Sequence, residues 1–307
     1  MRIAFFTYWG MIGNHVLEWL VQNTDNEIVA VVSRPGEPGE TIREVAFKHY
    51  LPLYQPPVNV NDPRFLDVLR RLEPDLFISM YFGRLFSPEA LAVPRLGCIN
   101  MHPSLLPKYR GQGPSTWPII NGETQTGQTV HWLDEGIDTG DIIAQKAIPI
   151  DPEDTGATLG AKLADLGVEL FIETWPLIES DKAPRIPQDD SQAIYSVAAR
   201  REHARIHWQE SAQRIRNVVR AFTRPGRGAW TRIGGKRLYV WEASVLEQPL
   251  SAEGKVAGDI LGIVGDGPVV LTGDGQLLLT STRVGRGGPD LASHLGQILG
   301  QLRTHLG

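Results

Sequence analysis

Asn100 and His102 stand two residues apart at the end of the apolar run Cys98-Ile99-Asn100-Met101-His102, and Asp138 follows inside Gly136-Ile137-Asp138-Thr139-Gly140. Successive side chains of a strand point to opposite faces, so a spacing of two sets this amide and this imidazole on one face, within reach of a single carbonyl. Asp138 falls in a glycine-flanked turn before a second apolar stretch, where a carboxylate can be held against the imidazole and keep it protonated or oriented. An amide N–H for a developing oxyanion, an imidazole to carry a proton and a carboxylate to hold that imidazole are the groups an acyl transfer needs. Each residue alone also has a plain structural use: Asn100 as a loop cap, His102 as a hydrogen-bonded core histidine, Asp138 as a turn former. The three together, in order, point to chemistry.

Strand-like and helix-like patterns alternate through the half of the chain that must position these groups. Residues 2–8, 27–33, 75–80 and 98–101 read as strands; 14–22, 41–49, 63–72 and 87–92 read as helices. Further strands are expected at 128–133 and 142–149, and a long helix at 158–179 closes the pattern. Such alternation predicts an α/β domain, a Rossmann-like parallel sheet with helices on both faces, over residues 1–185. A polar, proline-bearing stretch at 186–204 reads as a linker. Residues 205–307 carry one amphipathic helix, 211–222, then short glycine-punctuated strands at regular spacing, which predict a small β-barrel. The turn Tyr8-Trp9-Gly10-Met11-Ile12-Gly13 invites a dinucleotide-binding reading, but it retains only two glycines of the Gly-x-Gly-x-x-Gly fingerprint, and NAD is not expected.

With 307 residues, 42% hydrophobic and 21% charged, the chain is long enough for two ordinary globular domains. No apolar run approaches the ~20 residues of a membrane helix, and the start reads as a strand rather than a secretion signal, so a cytoplasmic protein with no membrane partner is expected. Cys98 is the only cysteine, which excludes an internal disulfide framework and a thiolate-built zinc site. Charge is unevenly divided. Between Arg200 and Arg237 eleven Lys and Arg face only Glu202 and Glu210, a surplus suited to an anionic partner or to a solvated helix face.

The stretch Asn100-Met101-His102-Pro103-Ser104-Leu105-Leu106-Pro107, the later Asp138-Thr139-Gly140, and the elements Leu106-Pro107-Lys108-Tyr109-Arg110-Gly111, Asn121-Gly122-Glu123-Thr124 and Ala204-Arg205-Ile206-His207-Trp208 resemble, in order and separation, the formyltransferases that use 10-formyltetrahydrofolate. The resemblance covers nearly the whole chain. It implies 10-formyltetrahydrofolate as formyl donor, no metal, and Asn100, His102 and Asp138 as the catalytic set. By the same resemblance the pterin packs against Arg84, Leu85 and Phe86 and against the backbone of Asp134, Glu135, Gly136 and Ile137. Some members add an arginine contact to the donor where this chain has Gln112. The longer members end in an OB-like barrel, which agrees with the C-terminal pattern.

The acceptor is less plainly written. Members that formylate methionyl-tRNA carry a basic insertion after the second strand, whereas here Ser33-Arg34-Pro35-Gly36-Glu37-Pro38-Gly39-Glu40 is short and near neutral. That favours a small amine, such as the amino group of a nucleotide-linked sugar. The arginines of 200–237 argue for tRNA as the alternative. The segments His102-Pro103-Ser104 and Trp132-Leu133-Asp134-Glu135-Gly136 resemble a hydrolase-like branch in which water is the acceptor.

Overall fold

The computed structural model describes residues 1–8, 10–33, 42–55, 59–113, 115–265 and 267–285, and of Gly10 and Met11 the backbone alone. Trp9 and residues 34–40, on which the short-loop argument turns, lie outside the described residues. Two compact units form, one of Met1–Pro114, Gln125–Ile148 and Ala161–Val197, the other of Ser115–Thr124, Pro149–Gly160 and Ala198–Gly307.

The first unit is built on strands β1 (Arg2–Thr7), β2 (Glu27–Val32), β3 (Leu53–Tyr54), β4 (Leu76–Met80), β5 (Gly97–His102), β7 (Gln125–Trp132) and β8 (Ile142–Pro149). A short β6 (Arg110–Gly111) lies between β5 and β7 in the chain and pairs elsewhere. The main sheet runs β3-β2-β1-β4-β5-β7-β8. β1 to β5 are parallel, linked by α1 (Gly10–Asn23), α2 (Ile42–Lys48), α3 (Pro63–Arg71) and α4 (Pro88–Leu91). The expected Rossmann-like sheet is therefore present, but as a mixed one. β7 returns antiparallel to β5, because the connection 103–124 holds a loop and the short α5 (Trp117–Asn121) but no helix long enough to cross a face of the sheet.

Alternation divides the sheet's side chains between two cores. Ile3, Phe5, Leu76, Ile78, Ile99, Met101 and Val130 pack on one face with α1, α2 and Leu170, Phe171, Trp175 and Ile178 of α6 (Gly156–Glu179). Ala4, Phe6, Phe77 and Cys98 pack on the other with Leu66 and Leu69 of α3 and Ala90 of α4. The α3 and α4 starts are set by Asp62-Pro63 and Ser87-Pro88: each cap side chain accepts a first-turn N–H, and proline fills a position whose own N–H has no partner to lose. At Gly13 a Cβ would stand 2.3 Å from Thr7 Oγ1, so this glycine serves the close approach of α1 to β1.

In the second unit α7 (Ala212–Phe222), capped by Ser211, packs beside five antiparallel strands in the order β10 (Ala229–Ile233), β11 (Lys236–Val245), β14 (Gln276–Val284), β13 (Gly267–Leu271), β12 (Ile260–Val264). This is the smaller β fold that the glycine-punctuated strands predict. β6 pairs in parallel with β9 (Tyr195–Ser196), in the polar stretch read as a linker. No helix among the described residues is long and apolar enough to cross a membrane.

Candidate active site

The antiparallel register of β5 and β7 builds the centre of the site. Asn100 lies opposite His131 and His102 opposite Thr129. Directly opposed residues share a face, so all four side chains project together, while Ile99, Met101, Val130 and Trp132 fill the core on the other side. Asn100 Nδ2 is 3.1 Å from His131 Nε2, and His131 Nδ1 is 2.8 Å from the Trp132 carbonyl oxygen. That carbonyl only accepts, so Nδ1 carries the proton and Nε2 accepts from the Asn100 amide. Burial pushes the His131 pKa down to about 4, against the opposing pull of Asp138, so the ring is neutral at pH 7. One of the two Asn100 N–H bonds is thereby spent, and the amide is oriented.

His102 is fixed by the same logic. Its Nε2 lies 2.8 Å from the carbonyl oxygen of Tyr109 and must donate to it, leaving Nδ1 toward Asp138 Oδ2 at 3.5 Å. The carbonyl is presented by the tightly pinned loop 103–109. Thr129 Oγ1 donates to Ser104 O (2.6 Å) and accepts from Leu106 N (3.2 Å), Gln145 Nε2 donates to Leu106 O (2.9 Å), and Ser104 Oγ donates to Lys108 O (2.6 Å). With His102 only 4% exposed, a ring misplaced by a slack loop would leave a buried N–H unpaired.

Asp138 completes the group from the β7–β8 connection. Its φ is +55°, a left-handed conformation, and its Oδ2 accepts the Gly111 N–H at 2.8 Å. The carboxylate sits between two imidazoles, with Oδ1 3.7 Å from His131 Nε2. Asp134 shapes the turn: its Oδ1 accepts from Gly136 N (3.0 Å) and Thr139 Oγ1 (2.6 Å). Gly140 is required here, since a Cβ would stand 2.0 Å from the Trp132 carbonyl oxygen.

The three residues singled out from sequence thus meet in one place. Of the residues matched to the pterin site, Arg84 and Leu85 are exposed on the segment after β4, where Asn61 braces Leu85 O and Ser87 N. Phe86 instead turns into the core, edge-on to Phe6 with ring centroids 5.0 Å apart. Asp134, Glu135 and Ile137 are exposed and Gly136 half-buried; Leu133, next to them, packs on the cluster that holds Phe86. His131, the Tyr109 carbonyl and the Arg110–Gln188 pair escape a sequence reading. His131 alone left a trace: an ionisable residue between Val130 and Trp132 in an expected strand needs a reason to be buried. Among the described residues no group of three or more His, Cys, Asp or Glu is placed to hold a metal ion.

Comparison with known proteins gives a consistent picture. Residues 1–175 match the family model described as formyl transferase, and residues 199–288 that of the formyl transferase C-terminal domain. The methionyl-tRNA formyltransferase of Syntrophus aciditrophicus is 37% identical over 276 residues, covering 87% of this chain and 86% of the relative. That of Moorella thermoacetica is 38% identical over 266 residues, 84% of each chain. Among solved structures, an N-formyltransferase from Helicobacter canadensis in complex with folinic acid and dTDP-3-aminofucose superposes with a TM-score of 0.72 at 21% identity, covering 91% of this chain and 99% of that one.

Proposed function

This chain belongs to the formyl transferase family, and from that premise we propose that it moves the formyl group of 10-formyltetrahydrofolate to the amino group of methionyl-tRNA. The donor follows from the family; the acceptor is the inference. The observation that carries it is a cationic, aromatic face on the C-terminal sheet. Trp230 pairs across strands with Tyr239, and Tyr239 with Arg283. Arg205 and Arg237 lie over the Trp230 ring at 5.8 and 4.7 Å, and Arg224 and Arg283 over Trp241 at 5.1 and 4.8 Å. Guanidinium groups held on aromatic rings suit a phosphate backbone. The sequence alone puts a small amine first, on the shortness of residues 33–40; relatives that match across both domains and bear the tRNA-directed name support the reverse order.

In this reading the acceptor nitrogen attacks the formyl carbon, a C–N bond forms, and the bond to N10 of the folate breaks once N10 receives a proton. The second N–H of Asn100, freed because His131 takes only the first, meets the developing oxyanion. His102 accepts the proton of the attacking amine at Nδ1, the ring atom that faces Asp138 while Nε2 is held by Tyr109, and passes it to N10. Asp138 stabilises the imidazolium between the two steps.

Transfer of labelled formyl to methionyl initiator tRNA, measured beside a dTDP-linked amino sugar, tests the acceptor. Preferred formylation of the tRNA by ~10²-fold or more in kcat/KM is expected. The reverse preference would return the small-amine reading, which the short 33–40 segment and the Helicobacter fold favour.

A further inference from the structure

Asp138 keeps a left-handed backbone that a non-glycine residue holds only when its surroundings over-determine it. Those surroundings come from residues 188–196, far along the chain. We propose that Gln188 is a positioning residue for Asp138, anchored in turn by Arg110; the inference rests on the reading of Asp138 as the partner of His102 in formyl transfer.

The hydrogen bonds leave little freedom. Gln188 Nε2 donates to the carbonyl oxygens of Asp138 (2.9 Å) and Gly140 (2.7 Å), the two ends of the turn. Its Oε1 accepts from Arg110 Nε (3.0 Å) and Nη2 (2.8 Å). Carbonyls only accept and a guanidinium only donates, so the amide can sit only one way round, and both its ends are fully used. Arg110 is 1% exposed; its remaining bonds go to Asp190 Oδ1 (2.7 Å) and the Tyr195 hydroxyl (3.1 Å), which lie on the same segment as Gln188. That segment also braces the carboxylate from the other side. Arg110 N and Gln112 N donate to Ile194 O (2.8 Å) and Ser196 O (3.0 Å), and between them Gly111 N holds Asp138 Oδ2. Gly111 has φ +97°, and a Cβ there would stand 2.5 Å from Ser196 O, so the pairing is possible only with glycine. The backbone of Asp138 and its carboxylate are therefore tied to one stretch, through Gln188 and through β6–β9 respectively. The 3.5 Å approach of the carboxylate to His102 depends on both.

The test is a double-mutant cycle in the full chain, using Gln188→Ala, Asp138→Asn and the pair, with labelled formyl transfer from 10-formyltetrahydrofolate to methionyl-tRNA as readout. Gln188→Ala should lower kcat ~10-fold while KM for 10-formyltetrahydrofolate stays within ~2-fold, and should cost less than ~2-fold once Asp138 is already Asn. Gln188→Glu, whose carboxylate keeps Arg110 paired but turns acceptors toward the two carbonyls, should show the same kcat loss in a folded protein. Gln192→Ala, on the same segment but with its side-chain amide bonded to Asp189, should keep wild-type kcat. Equal losses from Gln188→Ala in both backgrounds, or an unchanged kcat in Gln188→Glu, would overturn this inference alone. Full activity of Asp138→Asn would overturn it together with the catalytic reading beneath it.

Discussion

Replacing His131 by Gln should remove a pH dependence of stability that the buried imidazole imposes on the first unit. In the folded protein burial holds this ring at about 4, whereas in the unfolded chain it titrates near 6.5. As pH falls below 6.5 the unfolded chain gains a proton that the folded one refuses, so stability falls between about 6.5 and 4 and levels off beneath. At 1.36 kcal/mol per pH unit the full loss is roughly 3 kcal/mol, and about 2 kcal/mol of it is reached by pH 5. By about pH 8 the ring is almost wholly neutral in both states and contributes next to nothing to the slope. Hydrogen exchange of peptides containing β7, followed across a urea series at pH 7.5 and 5.0, isolates this contribution, because carboxylates common to both proteins cancel when wild type and His131→Gln are compared. The wild type should lose about 2 kcal/mol more than the variant over that interval. Identical losses would mean that the folded ring takes up the proton as readily as the unfolded one, and the bond from Asn100 to a neutral Nε2 would have to be abandoned.

Gly111→Ala must accept both an unfavourable φ and a contact with Ser196 O, so it should destabilise the protein by ~1–3 kcal/mol, measurable as a fall in Tm, and lower kcat further than Tm alone explains. A fully active, equally stable variant would contradict the account of β6 and β9. Joint replacement of Arg237 and Arg283 by Ala should reduce the dependence of log Kd for tRNA on log salt concentration by about one per arginine, with kcat at saturating tRNA little changed. An unaltered salt slope would place the phosphate contacts elsewhere.

The fold was legible wherever local pattern decides it. Short apolar runs in β1, β4 and β5 and the Asp62-Pro63 and Ser87-Pro88 signals mark elements whose forces are local to their own residues. The spacing of Asn100 and His102 was readable for the same reason, since a strand fixes which face each side chain takes. Partnership was not. That His131 stands opposite Asn100 follows from the β5–β7 register, and antiparallel return depends on a loop whose path no composition reveals. Arg110 read as one more cation in a motif; its burial under Gln188, Asp190 and Tyr195 rests on residues 78 to 85 positions away. The arginine-rich stretch divides likewise. Arg214, Arg216 and Arg220 are spent inside their own unit on Ile120, Glu153 and the carbonyls of Asp151 and Asp154, while Arg224 and Arg237 lie over tryptophan rings. Charge counting alone cannot separate the two groups.

The central claim is that Asn100, His102 and Asp138 carry out transfer from 10-formyltetrahydrofolate, and the most direct measurement is the single-turnover rate of labelled formyl transfer to methionyl-tRNA by wild type, His102→Ala and Asp138→Asn. Wild type should transfer the label; each variant should be slower by ~10²-fold or more, with an unchanged circular dichroism spectrum. Wild-type rates in both variants would contradict the account, whatever the acceptor.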